Sequence, residues 1–212
     1  MEKIKNKHYK SKQEVRELIW KYMEENNLIS FPRPCYGRIP NFLGSHIAGK
    51  KLKTLSEWKD VKTIFSAPDS SLHAARAEAL KEGKSLLVAA PKLIGFYFLE
   101  SISPENAYKA STIKGFSKFG KKVKISPNLP KINLYITGAV AVDKKGNRIG
   151  KGTGYGDKED AILSDVGLID NKTPRVVIVH DVQIFEDFYL LMENTDKKVT
   201  IIVTPNEIYR IN

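Results

Sequence analysis

The 212-residue sequence has a single cysteine and no long apolar run. Cys35 cannot form an intrachain disulfide, which favours a reducing compartment, and the sequence offers no base partner that would make it a nucleophile. No apolar stretch approaches the length of a membrane span, and the polar first fourteen residues lack the apolar segment of a signal peptide. We therefore expect a cytoplasmic protein with no membrane contact.

Metal-binding and common nucleotide-binding patterns are also missing. The four histidines are scattered, at positions 8, 46, 73 and 180, and no second His or Cys stands at ligand spacing, so no zinc site is predicted. His180 and Asp181 end a predicted strand, where site residues are common, but a lone histidine there is more often structural. Neither the P-loop pattern nor G-x-G-x-x-G occurs.

Acidic residues are in deficit, with 24 Asp and Glu against 35 Lys and Arg, which gives a net charge of +11. Such an excess favours anionic partners, including nucleotides, polyglutamylated metabolites and nucleic acid. Only seven of the 35 cations are arginines, the residue on which specific phosphate and base contacts mostly depend. A solvated, lysine-rich surface is therefore the favoured interpretation, and a nucleic-acid face is the second choice.

Hydrophobic patterns predict alternating helices and strands. The predicted helices are 11–28, 43–53, 69–83 and 157–168, and the predicted strands are 61–67, 85–91, 132–143, 175–181 and 199–205. Ser11 and Glu14 form a capping box, and Asp69 or Ser70 is expected to cap the third helix. Residues 100–130 show no clear pattern. The alternation predicts a single α/β domain over 1–212, with a layered, mostly parallel sheet and helices on both faces.

The stretch "RIGKGTGYGD", residues 148–157, follows the longest predicted strand and opens a helix. Alternating glycines let backbone N–H groups approach an anion, and Arg148 and Lys151 add charge at the rim. Asp157 is then either an N-cap or a ligand of Mg²⁺, which is usually held by one or two carboxylates and phosphate oxygens. Glycine spacing alone is equally consistent with a tight connection; the cations favour a phosphate site.

The motif "GAVAVDKKGNRIGKGTGYGDKEDAIL", residues 138–163, resembles the signature of the 5-formyltetrahydrofolate cyclo-ligase family, also called methenyltetrahydrofolate synthetases. Four further motifs resemble its divergent branch of methenyltetrahydrofolate synthetase domain-containing proteins: "FPRP", "RIPNF", "IGKGTGYGD" and "VHDVQ". The resemblance covers nearly the whole chain. It implies a fold of the sugar-phosphate isomerase and CoA-transferase type.

The resemblance also implies a reaction, the ATP-driven conversion of 5-formyltetrahydrofolate to 5,10-methenyltetrahydrofolate with release of ADP and phosphate. In the family's mechanism the formyl oxygen attacks the γ-phosphate, and ring closure then expels phosphate. The implied partners are ATP, Mg²⁺ and a reduced folate or related pterin. The oligomeric state is not implied.

Roles carried over from the resemblance fall on four sets of residues. Arg148 and Lys151 are the candidate catalytic cations, and Asp157 is the candidate Mg²⁺ ligand. The candidate ATP-binding residues are Lys12, Arg16, Arg148, Gly150, Lys151, Gly152, Thr153, Gly154, Tyr155 and Gly156. The candidate substrate-binding residues are Arg38, Asn41 and Phe42.

Three positions depart from the family pattern. Gly156 replaces the second tyrosine of "Y-Y-D", Ser71 stands where an acid helps to hold folate, with Asp69 nearby, and Thr200 stands in place of a late acid. ATP binding is therefore better preserved than folate binding. The alternative function is a nucleotide- or RNA-binding protein that keeps the fold without cyclo-ligase activity, and a third is an ATP-using ligase with another acyl-amine substrate.

The segment "FPRPCYGRIPNF", residues 31–42, has two interpretations. Its aromatic residues Phe31, Tyr36 and Phe42 could wall a flat pterin, and Arg33 or Arg38 could meet a carboxylate tail. Alternatively, it is a rigid surface crossing whose aromatic residues pack on the core. The structural interpretation is favoured for Phe31, and ligand binding is favoured for Arg38 and Asn41.

Overall fold

The computed structural model describes residues 9–211, so His8 lies outside the described part. The helices are α1 (Lys12–Glu25), α2 (Ser45–Lys51), α3 (Ser56–Lys59), α4 (His73–Lys81), α5 (Ala107–Ala110), α6 (Ile113–Phe119) and α7 (Tyr155–Asp165). The strands are β1 (Thr63–Ser66), β2 (Ser85–Ala89), β3 (Phe96–Leu99), β4 (Lys121–Val123), β5 (Leu134–Gly138), β6 (Ala141–Asp143), β7 (Arg148–Ile149), β8 (Arg175–Ile178), β9 (Ile184–Phe185), β10 (Ile201–Val203) and β11 (Ile208–Arg210).

Eight strands form one sheet in the order β11-β10-β8-β5-β1-β2-β3-β4. The five strands from β10 to β2 run parallel, and the pairs β10–β11, β2–β3 and β3–β4 are antiparallel. The central strands are apolar on both faces, as expected for parallel strands covered on both sides. The predicted α/β class with a mostly parallel sheet is confirmed.

Alternate residues along the central strands pack into separate hydrophobic cores on the two faces of the sheet. On one face, Ile64 and Ile136 pack with the buried side of α1 and with the helices that follow it. On the other face, Phe65 and Tyr135 stack at 4.6 Å between ring centroids and pack with Leu163 of α7. This period of two is what places helices on both faces of the sheet.

The sequence predicted one strand over the apolar run 132–143. In the structure this run does not form a single strand. It divides into β5 of the main sheet and β6 of a small sheet with the order β7-β6-β9. At the break, the buried Gln183 side chain donates hydrogen bonds to the carbonyls of Ala139 and Val140, both at 2.9 Å. These bonds satisfy two backbone carbonyl groups at the point where the chain leaves the eight-stranded sheet.

Helix ends follow the predictions only in part. Ser11 caps α1 as expected, its Oγ accepting from the Glu14 N–H at 3.2 Å. The expected cap by Asp69 or Ser70 is wrong, because a 3₁₀ turn (Ser70–Leu72) precedes α4 and no side chain caps that helix. The expected N-cap role of Asp157 is also wrong, since α7 begins at Tyr155. Residues 100–130 contain α5, α6 and β4.

In residues 9–211, none of the helices combines the length and the apolar character needed to cross a membrane.

Candidate active site

A cleft of about 710 Å³ opens where the parallel strands β1, β2 and β5 reach their carboxyl ends. Its floor includes Asp69 and Ala90, which follow β1 and β2, and Gly138, the last residue of β5. Its walls come from the start of α1, from Arg38 in the loop after it, and from residues 148–159. This edge is where open α/β sheets bind ligands.

The glycine-rich loop runs from β7 into α7. Gly152 (φ +100°) and Gly154 (φ +67°) have left-handed backbone conformations that residues with a side chain rarely adopt. A Cβ at Gly150 or Gly154 would meet no atom within 4 Å, so both face open space in the cleft wall. The Tyr135 hydroxyl donates to the Gly156 carbonyl at 3.3 Å from below, which helps to hold the loop.

Two arginines pack against this loop where glycine leaves room. Arg16 Nε donates to the Gly150 carbonyl at 2.7 Å, and a Cβ at Gly152 would lie 3.4 Å from the Arg16 guanidinium carbon. A Cβ at Gly156 would lie 2.9 Å from a guanidinium nitrogen of Arg148. The glycines therefore allow the backbone conformation of the turn, and their lack of a side chain leaves space for two guanidinium groups.

The cations of the cleft are held by acids of the same chain. Lys12 Nζ lies 2.6 Å from Asp196 Oδ2 and 3.2 Å from Glu193 Oε1. Arg148, which is 8% exposed, donates to Asp157 Oδ1 at 2.6 Å. These pairs fix the positions of Lys12 and Arg148 in the lining of the cleft.

Two further acids lie at the inner end of the cleft. Burial raises the pKa of Glu159 to about 8, and the nearby carboxylate of Asp69 adds to the shift, while Arg148 and Lys151 oppose it. Burial also raises the pKa of Asp69, against the attraction of Lys151, Arg76 and Arg148. The cleft is thus cationic at the glycine loop and acidic at its floor.

The structure brings most of the sequence-predicted site residues together. Those that line the cleft are Lys12, Arg16, Arg38, Arg148, Gly150, Lys151, Gly152, Thr153, Gly154, Tyr155, Gly156 and Asp157. Asn41 lies beside a neighbouring groove instead, where its Nδ2 donates to the Phe31 carbonyl at 2.6 Å. Phe42 is 1% exposed and packs edge-on against His180, so its ring is part of the core.

Four acids of the cleft were not predicted as site residues: Asp69, Glu159, Glu193 and Asp196. Asp69 was expected to cap a helix, and Glu159 lies in the first turn of the predicted helix 157–168, where acids are common because they suit the helix dipole. Glu193 and Asp196 gave no local signal. Thr200 lies outside this group, because its Oγ1 accepts from the Arg175 N–H at 3.0 Å between two strands.

The donor set fits a polyphosphate with an associated divalent cation. Two guanidinium groups and two ammonium groups lie around a glycine-rich loop, and cations with closely approachable backbone N–H groups are what binds phosphate. Among residues 9–211, no three His, Cys, Asp or Glu side chains are grouped closely enough to hold a metal ion. Mg²⁺ in this cleft would therefore depend on phosphate oxygens in addition to Asp157.

Comparison with known families gives a match over nearly the whole chain. The model described as "5-formyltetrahydrofolate cyclo-ligase family" matches residues 8–205. The methenyltetrahydrofolate synthase domain-containing protein of Homo sapiens is 37% identical over 203 residues, which are 93% of this chain and 53% of that protein. This chain thus spans about half the length of the curated relatives that it matches most strongly.

A shorter relative and two solved structures are also similar. The probable 5-formyltetrahydrofolate cyclo-ligase of Schizosaccharomyces pombe is 27% identical over 172 residues, with 76% of this chain and 83% of that protein covered. The 5,10-methenyltetrahydrofolate synthetase of Aquifex aeolicus has a TM-score of 0.57 at 21% identity, covering 95% and 93% of the two chains. That of Mycoplasma pneumoniae has a TM-score of 0.53 at 16% identity, covering 91% and 97%. These likenesses establish the fold.

Proposed function

This chain belongs to the 5-formyltetrahydrofolate cyclo-ligase family, and from that membership we propose that it is an ATP-dependent cyclo-ligase. The proposed reaction converts 5-formyltetrahydrofolate to 5,10-methenyltetrahydrofolate and releases ADP and phosphate. The observation that carries the proposal is the glycine loop 150–156 with Lys12, Arg16, Arg148 and Lys151 around it.

In this proposal the loop and its cations bind the triphosphate. The amides of Gly150, Gly152 and Gly154 face the phosphates, and Arg148 and Lys151 neutralise the charge of the terminal ones. Lys12 and Arg16 add two further cations from α1. Thr153, Gly156 and Tyr155 complete the lining, and the Tyr155 ring centroid lies 6.0 Å from the Lys151 ammonium.

Asp157 is the proposed Mg²⁺ ligand. In the structure its carboxylate accepts a hydrogen bond from Arg148 at 2.6 Å. On nucleotide binding, Arg148 would exchange this partner for phosphate oxygens, which leaves the Asp157 carboxylate for Mg²⁺. Mg²⁺ neutralises the charge on the phosphate oxygens when it is bound. The residues fit a cation that arrives with the nucleotide.

The chain's own contribution to the reaction is positioning and charge neutralisation. ATP supplies the phosphoryl group that turns the formyl oxygen into a leaving group. Arg148 and Lys151 stabilise negative charge on that group while the cleft holds the two substrates in contact. Arg38, an exposed cation at the mouth of the cleft, is the proposed partner of the folate carboxylates. Asn41 and Phe42 have no role in this proposal, given their positions outside the cleft.

One assay tests the proposal. Purified protein is incubated with Mg–ATP and 5-formyltetrahydrofolate, and the ultraviolet absorbance of the methenyl product is followed together with ADP. We expect both products in equal amounts. Tight, strongly salt-dependent RNA binding without turnover would instead support the alternative of a nucleic-acid-binding protein on this fold.

A further inference from the structure

Two buried side-chain atoms in the described part of the chain have no hydrogen-bond partner, Ser71 Oγ and Glu159 Oε2. Ser71 is 1% exposed and Glu159 is 3% exposed, so both side chains are shielded from bulk solvent. Buried polar groups are nearly always satisfied, because leaving one without a partner costs stability. Each of these atoms therefore calls for an explanation.

Both orphan atoms belong to the inner end of the cleft. Glu159 lines it directly. A Cβ on Gly138, another lining residue, would lie 3.6 Å from Ser71 Oγ and 3.4 Å from Asp69 Oδ2. Asp69 in turn acts electrostatically on Glu159. The two unsatisfied groups thus flank one acid, although they come from different elements, the turn before α4 and helix α7.

The surroundings identify the kind of ligand group that would satisfy them. The neighbouring positive charges of Arg148 and Lys151 are those assigned above to the terminal phosphates, so a phosphate has its own partners. An acidic floor with a hydroxyl group instead suits a group rich in N–H donors. The ring of the second substrate must approach the terminal phosphate, which brings it to this floor.

We propose that Glu159 is a substrate-binding residue whose carboxyl group hydrogen-bonds the ring N–H and amino groups of the reduced pterin. The inference rests on the proposed function, because it takes the second substrate to be a folate. It adds a residue on α7 to the folate side of the cleft, two positions after the proposed Mg²⁺ ligand.

The test compares Glu159→Met with wild-type protein. Methionine is similar in length and removes the unsatisfied carboxyl group, so the unliganded variant should be at least as stable toward urea as wild type. Binding of 5-formyltetrahydrofolate should weaken about tenfold, the effect of losing one or two hydrogen bonds to a buried carboxyl group. Affinity for ATP should change less than about twofold. Loss of one charge-assisted hydrogen bond to ATP would reduce the affinity by more than that.

Asp165→Asn is the matched control, since Asp165 is exposed at the other end of the same helix. Calorimetric titrations give both affinities, with 5-formyltetrahydrofolate measured in the presence of a non-hydrolysable ATP analogue. Opposite effects of Glu159→Met on stability and folate affinity support the inference, and a purely structural role would not produce them. If wild type binds both compounds and Glu159→Met binds 5-formyltetrahydrofolate as tightly as wild type, the inference about Glu159 is wrong and the proposed function is unaffected. If wild type binds neither compound, the proposed function fails and the inference with it.

Discussion

At the scale of single residues, the central claim concerns the two cations beside the glycine loop. Arg148→Ala and Lys151→Ala should each weaken ATP binding about ten- to hundredfold, because each removes a charge-assisted contact to phosphate. Isothermal titration measures the change. Lys144→Ala is the control, since Lys144 forms an exposed ion pair with Glu186 away from the cleft. Unchanged affinity in both loop variants would contradict the assignment.

The glycine at position 152 gives a second residue-scale prediction. Gly152→Ala places a side chain at φ +100° and 3.4 Å from the Arg16 guanidinium carbon, so ATP binding and stability should both fall. Gly83→Ala is the matched control, because Gly83 also has a left-handed conformation (φ +72°) but faces open space after α4. We expect a loss of roughly 1–2 kcal/mol in unfolding free energy in both variants, with ATP affinity reduced only in Gly152→Ala. Equal ATP affinity in the two variants would show that the loop does not bind phosphate.

Most of the candidate site residues that a sequence motif marked lie together in the structure, and their roles stay predictions. The glycine loop could be identified from its own glycines and cations, and Lys12 and Arg16 from the family resemblance; the structure brings them to one cleft. Glu159 could not, because an acid at the start of a helix has an ordinary electrostatic explanation. Its position beside Asp69 depends on strand order, which no local pattern encodes.

At the scale of secondary-structure elements, one ion pair ties the last strand to a short helix. Arg210 on β11 pairs with Glu57 on α3, and this hydrogen bond is the main reason that the pKa of Glu57 falls to about 2. Because the pKa is lowered on folding, the pair stabilises the protein above pH 4.5, and this contribution disappears as the pH falls from about 4.5 to about 2.

Glu57→Gln should therefore be less stable than wild type at pH 7, and the difference should shrink toward pH 2. Urea unfolding at a series of pH values measures it. Glu25→Gln is the control, since Glu25 belongs to an exposed pair with Lys21, and pairs of that kind contribute little. A stability difference for Glu57→Gln that stays constant down to pH 2 would exclude this explanation.

Helices and strands were largely predictable, because apolar periodicity and turn residues mark them locally. The run 132–143 was the exception. A continuous apolar run indicates burial but not which sheet receives each half. The division at Ala139 and Val140 depends on Gln183, which lies far along the chain and satisfies the carbonyls at the break.

At the scale of the whole molecule, side-chain contacts join the first helix to segments far along the chain. Lys12 of α1 pairs with Asp196 near the end, and Arg16 bonds the loop at Gly150. We therefore expect residues 1–212 to unfold in a single calorimetric transition, which ATP shifts to higher temperature because it binds only the folded chain. At an ATP concentration one hundred times its Kd, the gain is about 2.7 kcal/mol. Two separate transitions, with one insensitive to ATP, would show that the chain is not one domain.

The α/β class was predictable from the alternation of elements, whereas the order of the eight strands was not. That order decides which loops meet at the carboxyl edge, and therefore which side chains share the cleft. The acids of the cleft come from the segment after β1, from α7 and from residues 193–196. Sequence spacing places these segments far apart.

A crystal structure with a bound Mg–ATP analogue tests the central claim most directly. We expect the triphosphate to lie against the amides of residues 150–156, within hydrogen-bond distance of Arg148 and Lys151, with the metal ion on Asp157. A triphosphate bound elsewhere, with the Arg148–Asp157 pair and the glycine loop unchanged, would contradict it.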